Sequence, residues 1–192
     1  MPVLTPEQAE ADALLTAAKL ILAGVTTSPK TRGISSLTSI LLQGEEQERL
    51  ARAMEDQFNR KRHKLSFLRR DAQNIRQCAA VLLIGVKGLP KKPEDPINCG
   101  ACGFPGCREF LQAAKKKGED YVGPLCVFQV LDLGIALGIA AKMAAAMNID
   151  NRLMYSAGAA AMNLGVLEAD LILALPLSVS PKNIFFDRPS SP

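Results

Sequence analysis

The hydrophobic positions change period repeatedly along the 192 residues. Thr5-Pro6-Glu7-Gln8 supplies a cap, a first-turn proline and a residue able to close a capping box. Leu14, Leu15, Ala18 and Ile21 then recur at helical spacing, and Gly24 marks the expected end of that helix. Thr26 to Gly33 is polar and turn-rich, and Ser36 to Gln43 reads as a strand through Leu37, Ile40, Leu41 and Leu42. Gly44-Glu45-Glu46 opens a charged helix running to Arg60, and a second helix leads to Gln77. Cys78 to Val86 is short, continuous and apolar, the pattern of a strand buried on both faces. Later, Leu131 to Met147 reads as a helix rich in Ala and Gly. Asn151 to Gly158 reads as a loop or short strand, a helix follows to Leu164, and Ala169 to Leu177 is a second buried strand.

Between Lys87 and Val127 this alternation stops, and four of the five cysteines stand there: Cys99, Cys102, Cys107 and Cys126. The spacing is C-x2-C-x4-C-x18-C, with Gly100, Gly103, Gly106, Gly118 and Gly123 in the same stretch. Four thiolates suit either a [4Fe–4S] cluster or a structural zinc. Zinc ligands commonly come as two short pairs, whereas three close cysteines and one remote are more typical of an iron–sulfur cluster. Pro105 to Lys117 reads as a short helix with Cys107 in its first turn, where the helix dipole favours a thiolate. Cys78, inside an apolar strand, reads as a small core hydrophobe.

Composition narrows the classes. Hydrophobic residues make up 48% and charged residues 22%, which excludes a disordered chain. A net charge of +4 is too small to imply a nucleic-acid partner, and the basic run Arg60-Lys61-Arg62-His63-Lys64 has no aromatic interleaving, so it reads as a solvated helix face. One histidine, His63, rules out a histidine triad or a multi-histidine metal site. Met1-Pro-Val-Leu-Thr-Pro lacks a basic segment before an apolar core, and Asp132 and Lys142 interrupt the richest apolar run. The expectation is a cytoplasmic protein without a membrane partner, in which clustered cysteines ligate metal rather than form disulfides.

The cysteine segment resembles the four-cysteine iron–sulfur domain of electron-transfer complex subunits and of the corrinoid iron–sulfur protein. The shared residues are Cys99-Gly100, Cys102-Gly103, Pro105, Cys107, the following helix, Gly118 and Cys126. In that domain proline often follows the fourth cysteine; here Val127 follows it and Pro124 precedes it. The order of elements from Ala17 to Met54, the strand Cys78 to Val86, the helix opened by Leu131-Asp132-Leu133-Gly134-Ile135-Ala136 and the strand ending at Pro176 are similar to flavin-dependent nitroreductases. The whole chain, with Lys182-Asn183-Ile184-Phe185-Phe186-Asp187-Arg188 near its end, resembles a family of uncharacterised prokaryotic ferredoxin-domain proteins.

These resemblances imply an α+β fold: one nitroreductase-like domain over 1–192, its mixed sheet flanked by helices, with an inserted iron–sulfur segment at 87–127. They also imply FMN at a homodimer interface. The Arg-Ser-x-Arg and Asn-x-Gln-Pro-Trp elements that nitroreductases use for flavin are missing, and the chain has no tryptophan. Ser28, Lys30, Thr31 and Arg32 are the donors left for a flavin phosphate, with Lys182 or Arg188 in support. The function expected is electron transfer from the cluster, through a flavin, to a redox partner protein or small-molecule acceptor in an oxidoreductase. The competing class is a non-enzymatic, zinc-stabilised module that docks a partner.

Overall fold

The computed structural model describes residues 3–61 and 67–187; Arg62, His63, Lys64 and Arg188 fall outside them. Thr5 caps the first helix, α1 (Pro6–Thr27), and the capping box closes: Thr5 Oγ1 accepts from Gln8 N–H at 3.3 Å and Gln8 Oε1 from Thr5 N–H at 3.0 Å. Gly24 does not end the helix. It lies where α1 meets the long fifth helix, and a Cβ there would come within 2.2 Å of Met143 Sδ, so the glycine serves helix packing.

After a 3-10 turn at Thr31–Gly33 come β1 (Leu37–Leu42), α2 (Glu45–Arg60), α3 (Phe67–Gln77) and β2 (Ala80–Val86). Next follow the short helix α4 (Cys107–Gln112), a hairpin of β3 (Lys116–Lys117) and β4 (Val122–Gly123), and α5 (Val127–Ala146). The chain closes with β5 (Asp150–Asn151), α6 (Tyr155–Leu164) and β6 (Leu171–Ser178). The main sheet has the order β1-β2-β6-β5, with Leu37 opposite Val86 and Val86 opposite Leu171. The α+β class with a helix-flanked sheet holds. Among the described strands every pairing is antiparallel, although a mixed sheet was expected. Two helices packed on each other, α2 and α3, carry the chain out and back between β1 and β2, so β2 enters from the end where β1 left.

β2 is buried along its whole length, as its unbroken apolar sequence requires. Leu82, Ile84 and Val86 face a core built with α1 and α5, while Val81 and Leu83 face a second core built with α2, α3 and α6. Each fully buried Leu or Ile contributes on the order of 2 kcal/mol. The small-residue helix α6 lies so close to β6 that a Cβ on Gly158 would stand 2.1 Å from Ile172 O.

α5 begins at Val127, earlier than the expected Leu131, because Cys126 already occupies its N-cap position. The helix is 20 residues long with a mean hydropathy of 1.6, enough by length and composition to cross a membrane. The expected interruption by Asp132 and Lys142 is therefore too weak to remove that signal. Asp132 is neutralised inside the protein, and α5 packs against α1 and both central strands.

Candidate metal centre

The inserted segment leaves the sheet at Val86 and returns as α5. Gly88 N–H donates to Asp170 Oδ2 at 2.8 Å, Cys126 N–H donates to Gly88 O at 2.9 Å, and Lys115 Nζ donates to Asp170 Oδ2 at 2.7 Å. Asp170, just ahead of β6, thus ties the start and the middle of the segment to the sheet, and the far end returns to the start through Cys126 and Gly88. Inside it the backbone turns left-handed at Asn98 (φ 52), Gly100 (φ 72) and Gly103 (φ 82), which curls the Cys99–Cys107 loop on itself. Asn98 Oδ1 accepts the N–H of Cys107 at 2.9 Å and closes that loop. Phe110, 1% exposed, anchors the segment and meets Phe104 edge to face at 5.6 Å.

Cys99, Cys102, Cys107 and Cys126 all line one cavity, together with Arg32, Lys91 and Gln129. Cys99 and Cys102 come from the curled loop, Cys107 from the first residue of α4 and Cys126 from the N-cap of α5. The helix carrying Cys107 is Cys107–Gln112, shorter than the expected Pro105–Lys117, because Lys116 and Lys117 leave it to pair as β3. Exposure is graded: Cys107 and Cys126 are buried, Cys102 is intermediate and Cys99 is exposed. Burial pushes the Cys126 thiol up, while the N–H groups of Phe128 and Gln129 pull it down and Cys107 and Cys99 push it up again. A cation must therefore displace a proton there. Among the described residues, no three His, Cys, Asp or Glu side chains converge closely enough to hold a single metal ion. Four thiols around one cavity are a donor set that suits either an iron–sulfur cluster or a zinc ion.

Cys78 lies elsewhere, 5% exposed in the second core, with Sγ donating to Ile75 O at 3.1 Å. Burial pushes its thiol from 9.0 up to about 12. A folded-state pKa above the unfolded value means that the folded chain holds the proton longer, so stability falls as pH rises from 9.0 towards 12. Cys78→Ala should flatten the decline in unfolding free energy between pH 9 and pH 11 relative to the parent, measured by urea titration; parallel curves would refute the assignment.

The four residues expected to face a flavin phosphate have other work. Ser28 is buried and donates to Val25 O at 2.8 Å. Lys30 Nζ donates to Thr26 O at 2.7 Å, Ser28 O at 2.6 Å and Ser28 Oγ at 3.2 Å, closing the C-terminal end of α1. Thr31 donates to Asp132 Oδ1 through both N–H and Oγ1, each at 2.9 Å. Arg32 pairs with Asp95 at 2.5 Å and lines the cysteine cavity. The first three thus all donate within the chain, and Lys182 lies in a separate cleft beside Arg70 and Asn74.

Asp132 organises a buried network around the inserted segment. Besides Thr31 it accepts from Lys91 Nζ at 2.9 Å, in an ion pair whose side chains are 5% and 4% exposed. Lys91 also donates to Ile34 O. A lone carboxylate within an apolar helix was the available signal. A second network joins α2, the inserted segment and α6: Asp120 accepts from Lys61 at 2.8 Å, Gln57 at 2.6 Å and Tyr155. Lys61 is therefore paired rather than free on a basic face. Glu168 takes Lys87, Asp150 takes Asn183 at 2.8 Å, and Ser156 donates to Asp71 at 2.6 Å.

The model of a family described as "Uncharacterized protein containing a ferredoxin domain (DUF2148)" matches residues 122–188, and one described as "Putative Fe-S cluster" matches 96–121. An Archaeoglobus fulgidus protein described as "Uncharacterized protein" is 42% identical over 172 residues, 90% of each chain. Among solved structures, the nitroreductase-like family protein from Bacillus cereus matches with a TM-score of 0.56 at 11% identity, covering 100% of this chain and 94% of that one. A BluB-like flavoprotein from Clostridium difficile 630 matches at 0.53 and 12%, covering 100% and 87%. The chain spans 58% of the length of the hypothetical oxidoreductase YcnD from Bacillus subtilis, which matches over 88% of this chain at 0.52 and 13%. At these identities the structural likeness speaks for the fold, which is nitroreductase-like. By its match along nearly the whole length of a relative and by both motif segments, the chain belongs to the family of ferredoxin-domain proteins.

Proposed function

We propose that this protein carries a [4Fe–4S] cluster on Cys99, Cys102, Cys107 and Cys126 and works as a one-electron carrier. The observation behind this reading is the single cavity lined by all four cysteines, delivered from a curled loop, α4 and α5. Three close cysteines and one remote are more typical of an iron–sulfur cluster than the two short pairs common in zinc sites. When bound, the cluster supplies reversible one-electron chemistry. The chain's own residues shape its setting: buried Cys107 and Cys126 hold the inner side, exposed Cys99 presents the outer side to a partner, and Arg32 and Lys91, each ion-paired to a carboxylate, line the cavity with them.

A second carrier, FMN, belongs to this proposal on the fold likeness alone; Ser28, Lys30, Thr31 and Arg32 remain the donors proposed for its phosphate, and each already bonds within the chain. No step is assigned to it. The homodimer belongs here too: α5 leaves Val130, Leu131 and Ile135 exposed beside Gly134 and Gly138, an apolar stripe suited to a second copy. Electron delivery from a redox protein, or onward to a small-molecule acceptor of a cytoplasmic oxidoreductase, completes the reading. Anaerobic purification with metal analysis and visible spectroscopy tests it. About four irons per chain and a broad band bleached by dithionite are expected; one zinc per chain without colour would refute it. Flavin fluorescence in the heat-released supernatant tests FMN separately.

A further inference from the structure

α1 and α5 start with the same spacing and use it differently. In α1 the cap Thr5 and Gln8, three residues on, satisfy each other. In α5 the cap is Cys126 and Gln129 stands at the matching position, but the N–H of Cys126 already donates to Gly88 O at 2.9 Å. A side chain at this position reaches back over the cap. Here it finds no backbone donor left to accept from. Gln129 is 1% exposed, and among the described residues neither Oε1 nor Nε2 has a hydrogen-bond partner. A buried carboxamide without partners costs on the order of 1–3 kcal/mol for each unmet group. The same side chain lines the cavity of the four cysteines, and its own backbone N–H already bears on Cys126. The wall of that cavity otherwise consists largely of sulfur, glycine and apolar atoms.

We propose that Gln129 is a positioning and tuning residue of the metal centre: its Nε2–H donates a hydrogen bond to sulfur, either the Cys126 thiolate or an inorganic sulfide of the bound cluster. Its place in the fold explains both the burial of the amide and its missing partner. The inference rests on the iron–sulfur reading of the cavity. Reduction adds one electron to the cluster and breaks no bond, so the sulfurs become more negative and a donor facing them gains strength. Gln129 therefore favours the reduced state and raises the potential.

The test uses the anaerobically purified, iron-loaded full chain as parent, Gln129→Leu and Gln129→Glu, each titrated with dithionite in the presence of redox mediators. Both variants should keep the parent's iron content and visible band, and both should be harder to reduce. Gln129→Leu should lower the reduction equilibrium about tenfold, 59 mV for one electron. Gln129→Glu should lower it further, since a carboxylate then faces an anionic cluster. Unchanged potentials in iron-loaded variants would overturn the inference alone. A parent without iron would overturn the underlying reading and this inference with it. If both variants lose iron, pulsed EPR of the reduced parent labelled with 15N in the glutamine side chain decides: a resolved nitrogen coupling supports the bond and its absence overturns it.

Discussion

Replacing Cys107 by serine should abolish the visible chromophore and reduce iron from about four atoms per chain to less than one. Cys107 is buried, opens α4, and is held by the Asn98 side chain, so neither water nor a neighbouring residue can take over its corner. Cys126→Ser should behave alike, since that sulfur is fixed to the N-cap of the core helix α5. Cys99→Ser should be mildest, because Cys99 is exposed and solvent can fill the vacated position. Cys78→Ser is the control, with full iron content expected, because Cys78 belongs to the second core. Iron and acid-labile sulfide assays on the five proteins, parent included, measure this order. A Cys107→Ser protein with its iron intact would remove that residue from the ligand set.

Breaking the Lys91–Asp132 pair should be the most costly change outside the cysteines. Asp132→Leu leaves the Lys91 ammonium buried at 5% exposure without its counter-charge and removes the acceptor of both Thr31 bonds. Removing one member of a buried pair costs about 3–5 kcal/mol. Lys91 lies in the inserted segment, Thr31 after α1 and Asp132 in α5, so the loss also loosens the cavity wall. The double variant Lys91→Met/Asp132→Leu should recover most of the stability, because an apolar pair of similar volume escapes the desolvation penalty. Urea unfolding of the parent, both single variants and the double variant closes the cycle. A loss below about 1 kcal/mol in Asp132→Leu would show that the pair is not load-sharing.

Local signals proved reliable where local chemistry decides structure. The capping box at Thr5 and Gln8 formed as written, because all its partners lie within four residues. The unbroken apolar run of β2 forced a strand covered on both faces. Signals read from single residues did less well. Gly24 looked like a helix stop but packs against Met143, and Ser28, Lys30 and Thr31, singled out as donors for an anion, also donate to the end of α1 and to Asp132. Each of these outcomes turns on a neighbour remote in sequence or on a competing backbone carbonyl.

The sequence by itself determined the four-cysteine pattern with its glycines, the α+β alternation and the family, because ligand type, period and caps are written in short stretches. Only the tertiary structure decided that Cys126 would start α5 and so share a cavity with Cys99, Cys102 and Cys107. It alone brought Asp132 to Thr31 and Lys91 and left the Gln129 carboxamide, among the described residues, without a partner in the cavity that the four cysteines line. The reason is physical. A pairing across 101 residues, as between Thr31 and Asp132, depends on how two helix layers pack on a sheet, and no local period carries that information.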